Sequence, residues 1–371
     1  MRRAIIILLS ILLTFSVSAQ KKKKYIEIER PPDQIDMFLH RLDSTRSINI
    51  TAMNRVINYG YQRFLAHGEW MLNKSNTREE MAYWEWFVAY VQIVSRKDME
   101  SGFVHAVKAL SLTRDSGEFR CKILELEVNY FDFSKEYKHE IETLDEIIML
   151  TEKYSGKPSF WACIKEAKLL QYLQQTDAAF VYFSKAITTG SNDSIALADA
   201  YYNRAIINLK NSNDSAWVMS DLEAAIALDS NSIDCLYKHA MLCNEWYDSI
   251  PEYHAKMEKG CERILLIDTI PTLSSIRHCA LAMLGKRNEA ERWIDRVMAN
   301  FGDNQHNWVY IYYNKACIYA ILNDVDEAIR YLVEAEMNGG VSCKKLKDDA
   351  NFYNLRGTDE FEELILRICM E

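Results

Sequence analysis

Cys235, His239 and Cys243 stand at i, i+4 and i+8, and soft-metal ligands at that spacing share one face of a helix. The spacing also argues against a metal site. A helix rises about 12 Å from i to i+8, too far for three ligands on one zinc ion, so a pair would need further ligands from a neighbouring helix. No C-x-x-C occurs among the nine cysteines, which removes the redox-motif and zinc-ribbon readings. The G-x-G-x-x-G, G-x-x-x-x-G-K-[ST], H-E-x-x-H and G-x-S-x-G patterns are missing as well. Asp145-Glu146 and Glu362-Glu363 read as solvated helix faces. No catalytic residue, metal site or cofactor is therefore expected, and the chain is read as a non-enzyme.

The elements that must position these residues follow from composition. The 371 residues include only 12 Gly and 5 Pro, roughly half and a quarter of the usual shares. Turn-rich β folds and disordered linkers need more of both, so long helices joined by short loops are expected. Half of the residues are hydrophobic (49%) and 26% are charged, enough for a folded core in a soluble protein.

Residues 1–19 have the pattern of a secretory signal: Arg2 and Arg3, an apolar run from Ala4 to Phe15, then Ser16-Val17-Ser18-Ala19. Cleavage is expected after Ala19. The apolar run is short for a membrane span of roughly 20 residues, and no other stretch is long and apolar enough to cross a bilayer. Gln20 followed by Lys21 to Lys24 resembles exported proteins of the Bacteroidetes group. The mature chain would carry 42 basic against 53 acidic residues, a net charge of −11. That balance disfavours non-specific nucleic-acid binding, which needs cationic surface.

A repeat runs through the rest. Ala200 to Leu209 is followed, after a polar loop, by Val218 to Asp229. Cys279 to Leu284 is followed by Gly285 to Val297, and Tyr312 to Leu322 by Asn323 to Ala335. Each copy reads as helix, short turn, helix, with small or apolar residues at i, i+4 and i+7 of the second helix. The corresponding small-residue points are Gly102, Glu140, Ala179, Val218, Met257, Ala290 and Ala328.

Tyr312, Ala316, Tyr319, Ala328, Leu332 and Ala335 resemble the tetratricopeptide repeat, an antiparallel helix pair that stacks into a superhelix. Tyr201, Ala205, Val218, Leu222 and Ala225 fill the same roles with one extra loop residue. The resemblance is strong over roughly 160–335 and degenerate over 77–157. It implies an all-α fold, an α-solenoid of antiparallel helix pairs with a C-terminal capping segment. The organisation expected is a signal peptide at 1–19, a flexible Lys-rich lead at 20–32, degenerate pairs at 33–157, repeats at 158–337 and a cap at 338–371. Phe352, Leu355, Phe361 and Leu364 are expected to cover the open end, because each repeat buries its face only against a neighbour. The length then measures repeat number, roughly eight helix pairs in one continuous solenoid.

In this family first helices line a concave groove that takes extended peptides or partner helices. The matching positions here include Tyr202, Ile206, Tyr237, Met241, Cys279, Tyr313 and Cys317, with Asn203 and Asn314 beside them. Tyrosines recurring at one phase make an apolar, hydrogen-bonding strip. The Lys/Asn clamp that some members use for C-terminal carboxylates is absent, with Tyr202 where the Lys would stand and Ile206 where the Asn would. Arg204, His239, Arg277 and Lys315 also recur at one phase, as a cationic row or as partners of neighbouring acids. Most cysteines fall where a small buried hydrophobe fits. Cys343 and Cys369, outside the repeats, are expected to be the exposed ones, and the sequence assigns no disulfide. The function implied is a scaffold for a protein or peptide partner in the cell envelope, with the protein periplasmic or secreted. The alternative is a module that senses or binds a small ligand or glycan through the groove aromatics.

Overall fold

The computed structural model describes Ile35, Leu39 and residues 50–370, except 114–116, 212–214, 247–250, 302–304 and 340. The signal-peptide and Lys-rich segments expected at 1–32 lie outside the described residues. The chain divides into two compact units, one ending at Thr189 and one beginning at Gly190.

The described part of the first unit is α1 (Ile50–Lys74), α2 (Arg78–Val94), α3 (Met99–Leu112), α4 (Glu118–Ser134), α5 (Tyr137–Ser155), α6 (Phe160–Tyr172) and α7 (Thr176–Thr189). The second unit holds α8 (Ser194–Asn211), α9 (Ser215–Leu228), α10 (Ile233–Trp246), α11 (Glu252–Ile267), α12 (Arg277–Met283), α13 (Arg287–Phe301), α14 (Gln305–Ile321) and α15 (Val325–Met337). It closes with α16 (Cys343–Asp348), a 3₁₀ helix (Ala350–Leu355) and α17 (Asp359–Met370). No strand occurs among the described residues.

The helices pack as pairs, α2 with α3, α4 with α5, and so on to α14 with α15. Each second helix turns one face inward. The row Gly102, Glu140, Ala179, Val218, Met257, Ala290 and Ala328 is buried throughout. The rows four and seven residues later, from Ala106 to Leu332 and from Ala109 to Ala335, are also buried in all seven helices. This is the 3.6-residue periodicity expressed as packing. Gly102 shows how close the paired helices run, since a Cβ there would stand 2.7 Å from Ile93 Cγ1.

Five turns inside the pairs share one backbone device. Arg96, Lys135, Gln174, Gly285 and Asn323 all have φ between 56° and 70°. In four of these turns the next amide reaches back across the helix end: Glu136 N to Phe131 O, Gln175 N to Leu170 O, Lys286 N to Leu281 O and Asp324 N to Tyr319 O. These are Schellman closures. Four of the five left-handed positions carry side chains in a conformation that favours glycine, so the low glycine count is compatible with sharp turns. Helix starts are capped by Thr77, Asp98, Ser159 and Ser342, whose side chains accept backbone N–H groups.

Candidate interaction site

First helices α8, α10, α12 and α14 carry the candidate residues of the second unit. Tyr202 on α8 is half-buried against the clusters formed by Ala198, Ala225 and Cys235 and by Leu236 and Met241. Burial pushes its phenol up to about 12, and Asp234, Cys235 and Asp199 add to the rise. Asn203 is tied to its own helix, its Nδ2 donating to Asp199 O at 2.8 Å and to Asp199 Oδ1 at 3.0 Å. Ile206 and Asn314 are half-buried, and Met241 is buried.

Tyr237 and Tyr313 meet the C-terminal segment. The Tyr237 hydroxyl donates to Asn351 Oδ1. The Tyr313 hydroxyl donates to Asp349 Oδ2 at 2.5 Å. Asn244 Nδ2, two turns along α10 from Tyr237, donates to Tyr353 Oη at 2.9 Å. Phe352 stands edge-on to Tyr313 at 5.4 Å and is fully buried. The structure thus joins Tyr237 and Tyr313 around the chain's own 3₁₀ segment. Asp349, Asn351 and Tyr353 are the binding partners that sequence reading missed. The spacing of Phe352 and Leu355 marks a cap, but no periodicity places the residues around them against α10.

The cationic row is engaged locally. Arg204 forms a two-pronged pair with buried Asp221, at 2.7 and 2.8 Å. His239 lies 3.7 Å from Glu223, and Lys315 lies 3.6 Å from Asp295. Arg277 donates to the carbonyls of Leu265 and Asp268 at the end of α11.

The sulfur chemistry is equally settled. Cys343 and Cys369 form a disulfide, and the other seven cysteines are buried thiols. Burial pushes Cys163 up to about 11 and Cys243, Cys261 and Cys279 up to about 12. These thiols stay protonated, whereas nucleophilic and metal-ligating cysteines act as thiolates. Cys243 Sγ stands 3.9 Å from His239 Nδ1, and burial lowers the pKa of His239. His278, also buried, is pushed down to about 4 and is neutral near pH 7.

Most residues that carry the repeat resemblance are in the core. Ala316, Tyr319, Ala328, Leu332 and Ala335 are all buried, as are Ala205, Val218, Leu222 and Ala225. The helix pairs therefore pack as the resemblance to the tetratricopeptide repeat implies. No protein-family model matches the chain, and no curated protein matches it. Among solved structures, a tetratricopeptide repeat protein from Parabacteroides merdae is 14% identical, over 80% of this chain and 100% of that one, with a TM-score of 0.46. YrrB, described as a TPR protein with an unusual peptide-binding site, is 16% identical over 54% of this chain and 96% of its own, with a TM-score of 0.38. PilF of Pseudomonas aeruginosa is 14% identical over 78% of this chain and 99% of its own, with a TM-score of 0.35.

Proposed function

We propose that the protein is a non-enzymatic scaffold that holds a protein or peptide partner in the cell envelope, after export directed by residues 1–19. The observation that carries this reading is the half-exposed strip of Tyr202, Asn203 and Ile206 on α8, mounted on repeats whose inner rows are fully packed. A tyrosine fixed by its neighbours offers apolar area and a hydroxyl at small entropic cost. The chemistry elsewhere agrees: thiols held protonated, a buried neutral histidine and a net negative chain suit contact surfaces better than bond-making or nucleic-acid binding. Among the described residues no helix is long and apolar enough to cross a membrane.

The test is affinity capture from envelope extract with the tagged mature chain. One stoichiometric protein retained by the wild type, and lost with Tyr202→Ala plus Ile206→Ala, supports the reading. A thermal shift with a glycan, and no protein retained, would favour the ligand-binding alternative. Fractionation with N-terminal sequencing tests export, which predicts a mature chain that starts at Gln20.

A further inference from the structure

Three residues after the small-residue point, four of the seven second helices carry a ring: His105, Tyr182, Trp293 and Tyr331. On α11 that position is Gly260, which alone of the seven has no side chain. Tyr182 shows what such a ring does. Its hydroxyl donates to Asp145 on the preceding second helix, α5, at 2.7 Å, and faces Glu166 on the first helix of its own pair, α6. Asp145 stands five residues after Glu140, and Glu166 directly precedes the buried Ala167. Around Gly260 the same two positions hold Glu223, five residues after Val218 on α9, and His239, directly before the buried Ala240 on α10. The polar partners of the ring are kept, and the ring is missing.

In its place lies a pit of about 670 Å³, bordered by Glu223, Ile226, Ala227, Leu236, His239 and Gly260, within the size range of small-molecule sites. Two bridges frame it. Lys256 Nζ on α11 donates to Glu223 Oε1 on α9 at 2.9 Å. Two turns along α11, Arg263 donates to Ser230 O at 3.3 Å and to Asn231 Oδ1, in the turn after α9. Between the bridges the rim is exposed at Ala227, Lys259 and Leu266. The polar groups at its floor are complementary to a donor. His239 is buried, its Nε2 lies 3.7 Å from Glu223 Oε1, and burial lowers its pKa. The hydrogen bond from Lys256 holds the Glu223 carboxyl below its ordinary range, so it is ionised and can only accept. Glu223 Oε2 has no hydrogen-bond partner among the described residues.

We propose that this pit binds a small hydroxy-aromatic molecule, whose ring takes the place that Tyr182 fills in its own repeat and whose hydroxyl donates to Glu223 beside His239. The ring would cover Ile226, Leu236 and the bare backbone at Gly260, and its O–H would meet a charged acceptor, the stronger kind of hydrogen bond. The two bridges leave room for a ring that enters from solvent and interrupt the run along the helices that an extended chain would need. That favours a free ligand over a partner segment. The pit lies on α9, α10 and α11 and is separate from the α8 strip on which the scaffold reading rests.

The test is fluorine NMR titration of the full chain with 4-fluorophenol and, as the probe without a hydroxyl, fluorobenzene. Wild type should bind 4-fluorophenol at millimolar concentration or below, and fluorobenzene roughly tenfold more weakly, the expected effect of one hydrogen bond to a charged acceptor. Glu223→Ala, at a half-exposed side chain, should bring the two probes to equal affinity. Ala227→Trp, at an exposed lining position, should cover the pit and remove the binding of both. Unchanged thermal unfolding of the two variants shows that the losses come from the site. No binding of 4-fluorophenol, equal affinity of the two probes for wild type, or binding that survives Ala227→Trp overturns the proposal. Binding of N-acetyl-tyrosinamide more tightly than 4-fluorophenol would give the pit to a partner's tyrosine and overturn the small-ligand assignment. Partner capture that depends on Tyr202 leaves the scaffold reading standing whichever way these titrations fall.

Discussion

Glu166 on α6 is buried, 1% exposed, and its Oε2 has no hydrogen-bond partner among the described residues. Asp145 on α5 faces it from one side and accepts the Tyr182 hydroxyl at 2.7 Å. Tyr182 and Lys185 on α7 face it from the other. Burial first, and then the charge of Asp145, raise its pKa from 4.5 to about 7, against the opposing pull of Tyr182 and Lys185. The sign follows from linkage. The folded protein binds this proton more tightly than the unfolded chain. The stability it contributes is therefore complete below pH 4.5, lost as pH rises towards 7, and absent above that. At roughly 1.4 kcal/mol per pH unit, the full loss is up to about 3 kcal/mol. Glu166→Gln keeps the position neutral at every pH. The variant should match wild type at pH 4 and be more stable at pH 8 by up to about 3 kcal/mol. Urea midpoints at pH 4, 6 and 8, with equal m values, measure the difference. Glu125 and Glu140, whose pKa values burial also raises, titrate in both proteins and cancel. A difference that does not change with pH, or a variant less stable at pH 8, would refute the reasoning.

Other perturbations follow from the packing. Gly102→Val would drive its side chain into Ile93, where even a Cβ stands 2.7 Å away. The expected loss is about 1–3 kcal/mol by chemical denaturation, and a neutral result would mean that α2 and α3 separate easily. Cys343→Ser with Cys369→Ser opens a loop of sequence separation 26, for an expected cost of about 3 kcal/mol, read by thermal unfolding with and without dithiothreitol. Asp221→Ala leaves Arg204, 13% exposed, without its carboxylate and should cost about 3–5 kcal/mol, whereas replacing both residues by apolar ones of similar volume should cost far less.

Legibility in the sequence divided along the range of the interaction. The second-helix rows were readable because a buried stripe needs only local periodicity. Even Glu140, an unlikely occupant of a small-residue position, sits in phase and is buried, with Lys165 Nζ at 3.2 Å. The cap residues Phe352, Leu355, Phe361 and Leu364 were readable from their hydrophobic spacing, and all are buried. The turn chemistry was less so: Arg96, Lys135 and Gln174 adopt left-handed conformations that their residue types do not announce. The contacts of Asn351 with Tyr237 and of Tyr353 with Asn244 join residues more than one hundred positions apart. Pairings of that range leave no periodic trace. The Cys343–Cys369 bridge had the same difficulty, since an odd count of cysteines allows many partners.

The central claim is that the first helices present the working surface. Quantitative capture of the envelope partner by four forms of the chain tests it most directly: wild type, Tyr202→Ala plus Ile206→Ala on α8, and, as outer-helix controls, Leu266→Asp on α11 and Val181→Asp on α7, both at exposed apolar positions. The account predicts loss of the partner with the α8 pair alone. Retention by that pair, with loss on either outer-helix change, would contradict it.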